Sequence, residues 1–318
     1  MPTRRTLLAT TLTLALPSLT RAQSNPLRIV VPFPPGGGAD AVARQLQPPL
    51  AELLGLPVLV ENRPGASGAL GSAAVARSAP DGLTWLLVFD SHTVNPALIP
   101  DLGFDTERDF VPVMRIGTAP MLLNAHHSRP WRSPAALIAA ARERPEAITY
   151  GTIGNGTLAH LAISVAQRAA GFRVTHVPYR GGGPLALAAV AGEVDLSIAT
   201  QTIFNAHYAS GALVPVVQTG ATRSPRFPTL PTLAEAGVPG LDARAFWGLV
   251  GPAGLSAAVL ARMTNALGQA LQLAPVRQRL GTLGLDDDAL GPEAFGAFLA
   301  QQTAFWGRVV RENGIRAE

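Results

Sequence analysis

The stretch VVPFPPGGGAD, residues Val30 to Asp40, sets the frame for the whole chain. A β-rich apolar run stops at Phe33, prolines block further strand pairing, and Gly36 to Gly38 open a helical segment from Ala39. Backbone N–H groups at such a junction lack helical partners and carry partial positive charge, and glycines let another group come close. The junction serves either an anionic ligand or a plain tight turn. Its spacing is not G-x-G-x-x-G, which weighs against a dinucleotide.

The same strand–turn–helix unit recurs on both sides of this stretch. LRIVVPF predicts a buried strand and ADAVARQLQPPLAELLG a helix ending at Gly55. PVLVEN, ASGALGSAAVARSA and LTWLLVF continue as strand, helix and strand. A second series starts at Ser133, the expected N-cap of SPAALIAAARER, with Pro134 at its first position. ITYGTIG, TLAHLAISVAQRAAG, VTHVPY, GPLALAAVAGE and VDLSIAT then alternate strand and helix. LVPVVQTGA returns across the molecule, and the chain is mostly helical from Ser256. This rhythm predicts the α/β class, with parallel strands covered by helices in two sheet systems. The chain should cross between them near Met121 to Asn124 and near Val217 to Ala221, leaving a ligand site at the carboxyl ends of the strands.

With 318 residues, 47% of them hydrophobic and 14% charged, the chain has ample material for a packed core. It has no cysteine, which excludes disulfides, thiol catalysis and thiolate metal centres. All 25 basic residues are arginine, so a Walker-type phosphate loop and Schiff-base chemistry are excluded too. Residues 1–22, MPTRRTLLATTLTLALPSLTRA, have the basic start, short apolar run and small residues (Thr20, Ala22) of a cleavable export signal, by a Sec or a Tat route. The apolar run is shorter than the roughly 20 residues a membrane span needs. Cleavage removes Arg4, Arg5 and Arg21 and no acid, so the formal charge falls from +4 to +1 (4 − 3). Nucleic-acid binding thus loses its electrostatic basis, and 6% aromatic residues without basic interleaving supply no stacking platform. The expected location is the periplasm, with no membrane insertion of the mature chain.

Two further junctions resemble the first. In YGTIGNGTLAH, Tyr150 to His160, a Gly/Asn/Thr turn leads into a helix with Thr157 as expected N-cap. His160, one turn in, either meets a ligand or braces the loop. In THVPYRGGGP, Thr175 to Pro184, Tyr179 offers a ring and a hydroxyl, Arg180 either pairs with a carboxylate or stays solvated, and Gly181 to Gly183 expose backbone. Two anion-receptive helix starts facing each other across a cleft define a site more narrowly than one. Catalytic patterns fail: PGASGAL has Ala69 where a nucleophile elbow needs glycine, and there is no H-E-x-x-H. His126 and His127 are adjacent and cannot share a helical face, while Asp286 to Asp288 read as a solvated turn. Neither cofactor nor metal is expected.

Taken together, the blocks VPFPPGGGADAVAR, PVLVENRPGASGALGSAAVARSAPDG, NPALIPDLGFDTERDFVPV, YGTIGNGTLAHLA, THVPYRGGGPLALAAVAGEVDL, SPRFPTLPTLAEAGVPG and FWGLVGPAG resemble, in order, the Bug family. These are periplasmic receptors of tripartite tricarboxylate transporters. The resemblance covers nearly all of the mature chain and implies a type II periplasmic-binding-protein fold, with two lobes closing on a small organic carboxylate. It implies lobe 1 from residues 23–122 plus 221–318 and lobe 2 from residues 123–220. It also implies a monomeric receptor without catalysis, which delivers its ligand to membrane permease subunits, or alternatively a sensor for a signalling partner or an enzyme using the same cleft.

Carried onto this sequence, the resemblance puts first-lobe contacts at Phe33, Pro34, Gly36, Gly37 and Gly38. A carboxylate clamp falls at Gly154, Asn155, Gly156 and Thr157, with His160 nearby and Tyr179 beside it. Asp90, Ser91, His92 and Thr93 align with a variable cleft loop, in which His92 either contacts ligand or is solvated. Amino-acid-binding members often carry an aspartate soon after the VDL strand, where this chain has Ala199 and Thr200. The resemblance therefore implies a ligand without an ammonium group, unless Asp90 supplies the anion from the other lobe.

Overall fold

The computed structural model describes residues 25–316, so the export signal at 1–22 lies outside the described residues. The first series runs β1 (Leu27–Val31), α1 (Gly38–Leu54), β2 (Val58–Asn62), α2 (Ala69–Ala76), β3 (Thr84–Val88) and α3 (Ser91–Leu98). β1 lies between β2 and β3 and is parallel to both. α1 stops at Gly55, whose left-handed backbone (φ 64°) suits glycine, as the sequence predicts.

β4 (Phe110–His126) follows as one strand of 17 residues. The second series is α4 (Pro134–Glu143), β5 (Thr149–Thr152), α5 (Leu158–Ala170), β6 (Thr175–Pro178), α6 (Gly182–Ala191), β7 (Leu196–Thr200), α7 (Gln201–Ala209) and β8 (Leu213–Gln218). β9 (Arg244–Pro252) then precedes α8 (Ala257–Gln272), α9 (Ala274–Thr282) and α10 (Pro292–Glu312). Ser133 caps α4 by accepting the Ala136 N–H.

The strand order is β2-β1-β3-β9-β4-β7-β5-β6, with β8 also on β4. The two expected sheet systems are therefore halves of one curled sheet joined through β4. From Phe110 to Pro120 that strand pairs with β9, and from Met121 to His126 it pairs with β7 and β8. Register shifts between Pro112 and Met114 and between Arg115 and Gly117 bend the long strand within the part paired with β9, before it changes partners.

The halves meet at Thr219, which is fully buried. Its backbone N–H donates to Met121 O, and its hydroxyl accepts the Met121 N–H at 3.0 Å and donates to Ala243 O at 2.7 Å. One side chain thus ties the outgoing strand to the returning chain. α10 bridges the halves differently. Phe295 and Leu299, near its start, pack with Val30, Leu86 and Phe246, whereas Trp306, Val309 and Val310, near its end, pack with Leu158, Ala162 and Leu98.

Candidate functional site

A cavity of about 540 Å³ opens beyond the carboxyl ends of β1, β3, β5, β6 and β7. Its first wall is the Pro34–Ala39 loop with Phe33. Asp40, buried in the first turn of α1, accepts the Gly36 N–H at 2.9 Å, Arg44 Nε at 2.9 Å and Asn62 Nδ2 at 3.0 Å. Burial opposes its ionisation, but Arg44, the Gly36 N–H and Asn62 outweigh that and hold the carboxyl below its ordinary value. Asn62 also donates to Phe33 O. The glycine loop is thus braced from within, and the positive end of α1 already faces a carboxylate of its own.

The second wall has the opposite polarity. Thr157 to Ala159 at the start of α5, Gly181 to Gly183 at the start of α6, and Thr200, Thr202 and Ile203 at the start of α7 all line the cavity. None of these three helices carries an acid in its first turn. Helix starts leave backbone N–H groups without helical partners, all three starts border this one cavity, and exposed Arg180 adds the one cation of the lining. Thr157 holds the N-cap position but does not cap as expected. Its hydroxyl donates to Gly154 O at 2.8 Å and closes the turn instead.

The floor is aromatic. The Phe33 and Phe89 ring centroids are 5.8 Å apart, edge to face, and those of Phe89 and Trp247 are 5.1 Å apart. Beside them Asp90, only 7% exposed, lines the cavity. Burial pushes its carboxyl up to about 7, with only the Ser91 backbone N–H favouring the charged form. Trp247 Nε1 is buried without a hydrogen-bond partner among the described residues.

Of the residues singled out by sequence, Phe33, Pro34, Gly36, Gly37, Gly38, Asp90, Thr157, Ala199 and Thr200 line the cavity. Gly154, Asn155, Gly156, His160 and Tyr179 stand outside that lining. Asn155 Nδ2 donates to Arg316 O at 3.0 Å, and Gly156 packs against Leu98 with no room for a Cβ. His160 Nδ1 accepts the Gly156 N–H at 3.1 Å, and Tyr179 covers Gly151. Ser91 and His92 open helix α3 rather than forming a loop, and neither lines the cavity.

His92 requires correction, because its ring is neither solvated nor in the cleft. It is 5% exposed and edge-on to Phe110 at 5.1 Å. Burial lowers its pKa to about 4. The Thr106 backbone lies close enough to favour the charged ring slightly, yet neither nitrogen makes a well-formed hydrogen bond among the described residues. Phe89, Met121, Ile153, Trp247, and Thr202 and Ile203 in the first turn of α7, were missed by sequence reasoning. Only the position of Phe89 at a strand end signalled a cleft residue.

A larger cavity of about 640 Å³ lies away from these strand ends, lined by Arg223, Arg226, Arg244 and Arg277 with Asp286, Asp287 and Asp288. Its charges neutralise one another: Arg244 pairs with Asp242 and Asp288, Arg226 with Asp286, Arg277 with Asp287 and Arg223 with Glu235. The acidic run is therefore not a solvated turn. Asp288 also bonds Arg115 and Thr118, and burial raises the Asp286 carboxyl. No residue singled out for ligand lines this second cavity, so it does not compete with the first.

A curled α/β sheet with an apolar cleft between facing helix starts defines a two-lobed solute-binding protein of the type II periplasmic-binding class. Residues 42–315 match the family model described as tripartite tricarboxylate transporter family receptor, and the chain belongs to that family. It is 32% identical over 295 residues to protein BugT of Bordetella pertussis, covering 92% of this chain and 90% of that one. Among solved structures, an R. palustris protein with adipate is 29% identical with a TM-score of 0.85, covering 93% of this chain and 99% of that one. MatC from Rhodopseudomonas palustris with bound malate is 30% identical with a TM-score of 0.79, covering 90% and 98%.

Proposed function

We propose that this chain is a periplasmic receptor that captures a small organic carboxylate and hands it, on hinge closure, to the membrane permease subunits of a tripartite tricarboxylate-type transporter. It works as a monomer without a catalytic cycle, after export and removal of residues 1–22. Residues 23–122 plus 221–318 act as one lobe and residues 123–220 as the other. The observation that carries this reading is the convergence of three acid-free helix starts and Arg180 on one wall of the cavity. Oriented N–H groups there meet an anion without needing a high net charge. The wall opposite holds the guest's body against Phe33, Phe89 and Trp247. Adipate and malate in related structures match that chemistry.

Thermal melting of the mature protein with a panel of mono- and dicarboxylates, adipate and malate included, tests this. A ligand at a hundred times its Kd adds about 2.7 kcal/mol of stability, a readily measured rise in Tm. A panel without any shift overturns the reading, as does turnover of a bound carboxylate.

A further inference from the structure

We propose that His160 decides which wall of the cleft receives the guest's carboxylate: as an uncharged brace it holds the start of α5 in shape and leaves the positive helix end free. The inference rests on the carboxylate reading above. It assigns the polarity of that site to a positioning residue outside the cavity lining.

α1 and α5 begin alike, position for position. Each N-cap, Gly37 or Thr157, follows a glycine with left-handed backbone, Gly36 at φ 82° and Gly156 at φ 68°. In each, the N-cap and the next two residues border the cavity, Gly37 to Ala39 on one wall and Thr157 to Ala159 on the other. In each, the side chain three residues past the N-cap reaches back to the N–H of that glycine. Asp40 accepts from Gly36 at 2.9 Å, and His160 accepts from Gly156 at 3.1 Å through Nδ1. A side chain at this position commonly closes a helix start by such a back-bond, with glutamate or glutamine as the usual donor of the acceptor oxygen.

The two braces differ in charge. The Asp40 carboxylate puts a negative charge in the first turn of α1, where it uses up the attraction that a helix end offers an anion. His160 supplies an equivalent acceptor without that charge, since an Nδ1 that accepts an N–H carries no proton. His176 lies flat on its ring at 4.0 Å, and burial disfavours the charged imidazole. The turn before α5 is thus closed as the turn before α1 is, but no acid stands beside the incoming carboxylate. α6 and α7 carry Pro184 and Ile203 at the matching position, so neither adds one. An acid on one wall and a histidine at the equivalent place on the other give the cleft its direction.

Calorimetric titration at pH 7.5 tests this on the parent chain, His160→Asn and His160→Asp, with the tightest-binding carboxylate of the panel, adipate and malate among them. Both replacements offer an acceptor oxygen near the place of Nδ1, and they differ from each other in charge. H160N should bind within about threefold of the parent, whereas H160D should bind about tenfold or more weakly than H160N. Free of ligand, H160D should melt no lower than H160N, because an acid in the first turn favours the helix itself. A histidine with a merely structural role would make affinity and melting temperature fall together. Equal affinities in the two variants overturn the inference, as does a loss in H160D that comes with a lower melting temperature. If either variant fails to fold, His160→Gln and His160→Glu carry the same comparison with the same outcomes. If the parent binds no carboxylate of the panel, the carboxylate reading falls and the inference falls with it. Binding by the parent without a gap between the paired variants sinks only the inference.

Discussion

His160 lies flat against His176, with ring centroids 4.0 Å apart and planes 15° apart. His176 in turn stacks on Tyr150 at 5.0 Å and touches the Thr152 hydroxyl at 2.8 Å. Burial lowers both histidine pKa values, and the charge of His160 lowers that of His176 further, to about 4. Both rings are neutral in the folded protein near pH 7, while the unfolded chain takes up protons from about pH 6.5 downward. Their contribution to stability is complete above that value and is lost as the pH falls toward 4. Protonating His160 Nδ1 would also expel the Gly156 N–H. The expected outcome is a Tm that drops steeply below pH 6, with a shallower drop in His176→Gln. A flat acid limb in the parent protein contradicts this.

Asp90 acts with the opposite sign. Its carboxyl is raised to about 7, so the folded chain keeps a proton that the unfolded chain has released, and stability declines from about pH 4 to 7. In the absence of ligand, Asp90→Asn should raise Tm by a few degrees at pH 8 and by little at pH 4.5, while steepening the acid limb. An equal change at both pH values would show that packing, not charge, governs this position.

Thr157 should matter through its turn. Its hydroxyl closes the turn onto Gly154 O and so aims the N–H groups at the start of α5. Thr157→Ala should weaken adipate, or whichever panel carboxylate binds best, by about 1–2 kcal/mol, and Thr157→Ser should restore most of it. Unchanged affinity in the alanine variant would remove Thr157 from the site.

Thr219→Val keeps the shape of the crossing point but leaves the Met121 N–H and Ala243 O without their side-chain partner in a fully buried position. Urea titration should show a loss of about 1–3 kcal/mol. A loss well below that range would mean that water reaches the crossing.

Much of this architecture was legible in the sequence because its parallel strands are buried on both faces and read as unbroken apolar runs. Ile29 to Val31 and Leu86 to Val88 are examples. β4 was not, since Pro112, Gly117 and Pro120 interrupt its pattern and its partners change halfway along. β9 was missed as well, its glycines at 248 and 251 leaving room for Phe295 and for Trp85 with Leu255. The glycine-rich junctions each border the cavity, but a loop seen in sequence does not say which of its residues face inward. Gly37 faces the cavity, whereas Gly156 sits against Leu98. The apolar floor was illegible because Trp247 and Phe89 look like any other core residues until β3 and β9 are paired. The ion pairs of Asp286 and Asp288 join segments more than 40 residues apart, and local sequence carries no trace of such partners.

The placement of α10 makes the two flanks of the cleft mechanically unequal. On its side the halves share Trp306, Val309 and Val310 with Leu158 and Leu98, and parting them there would tear an apolar core. On the other side α7 is joined to the end of α9 by Thr202 Oγ1 to Leu283 O and Asn205 Nδ2 to Thr282 O. Two side-chain hydrogen bonds yield far more readily than a packed tryptophan. Like a book bound along one spine, the halves should part first at the fore-edge, where those two hydrogen bonds beside α7 must break.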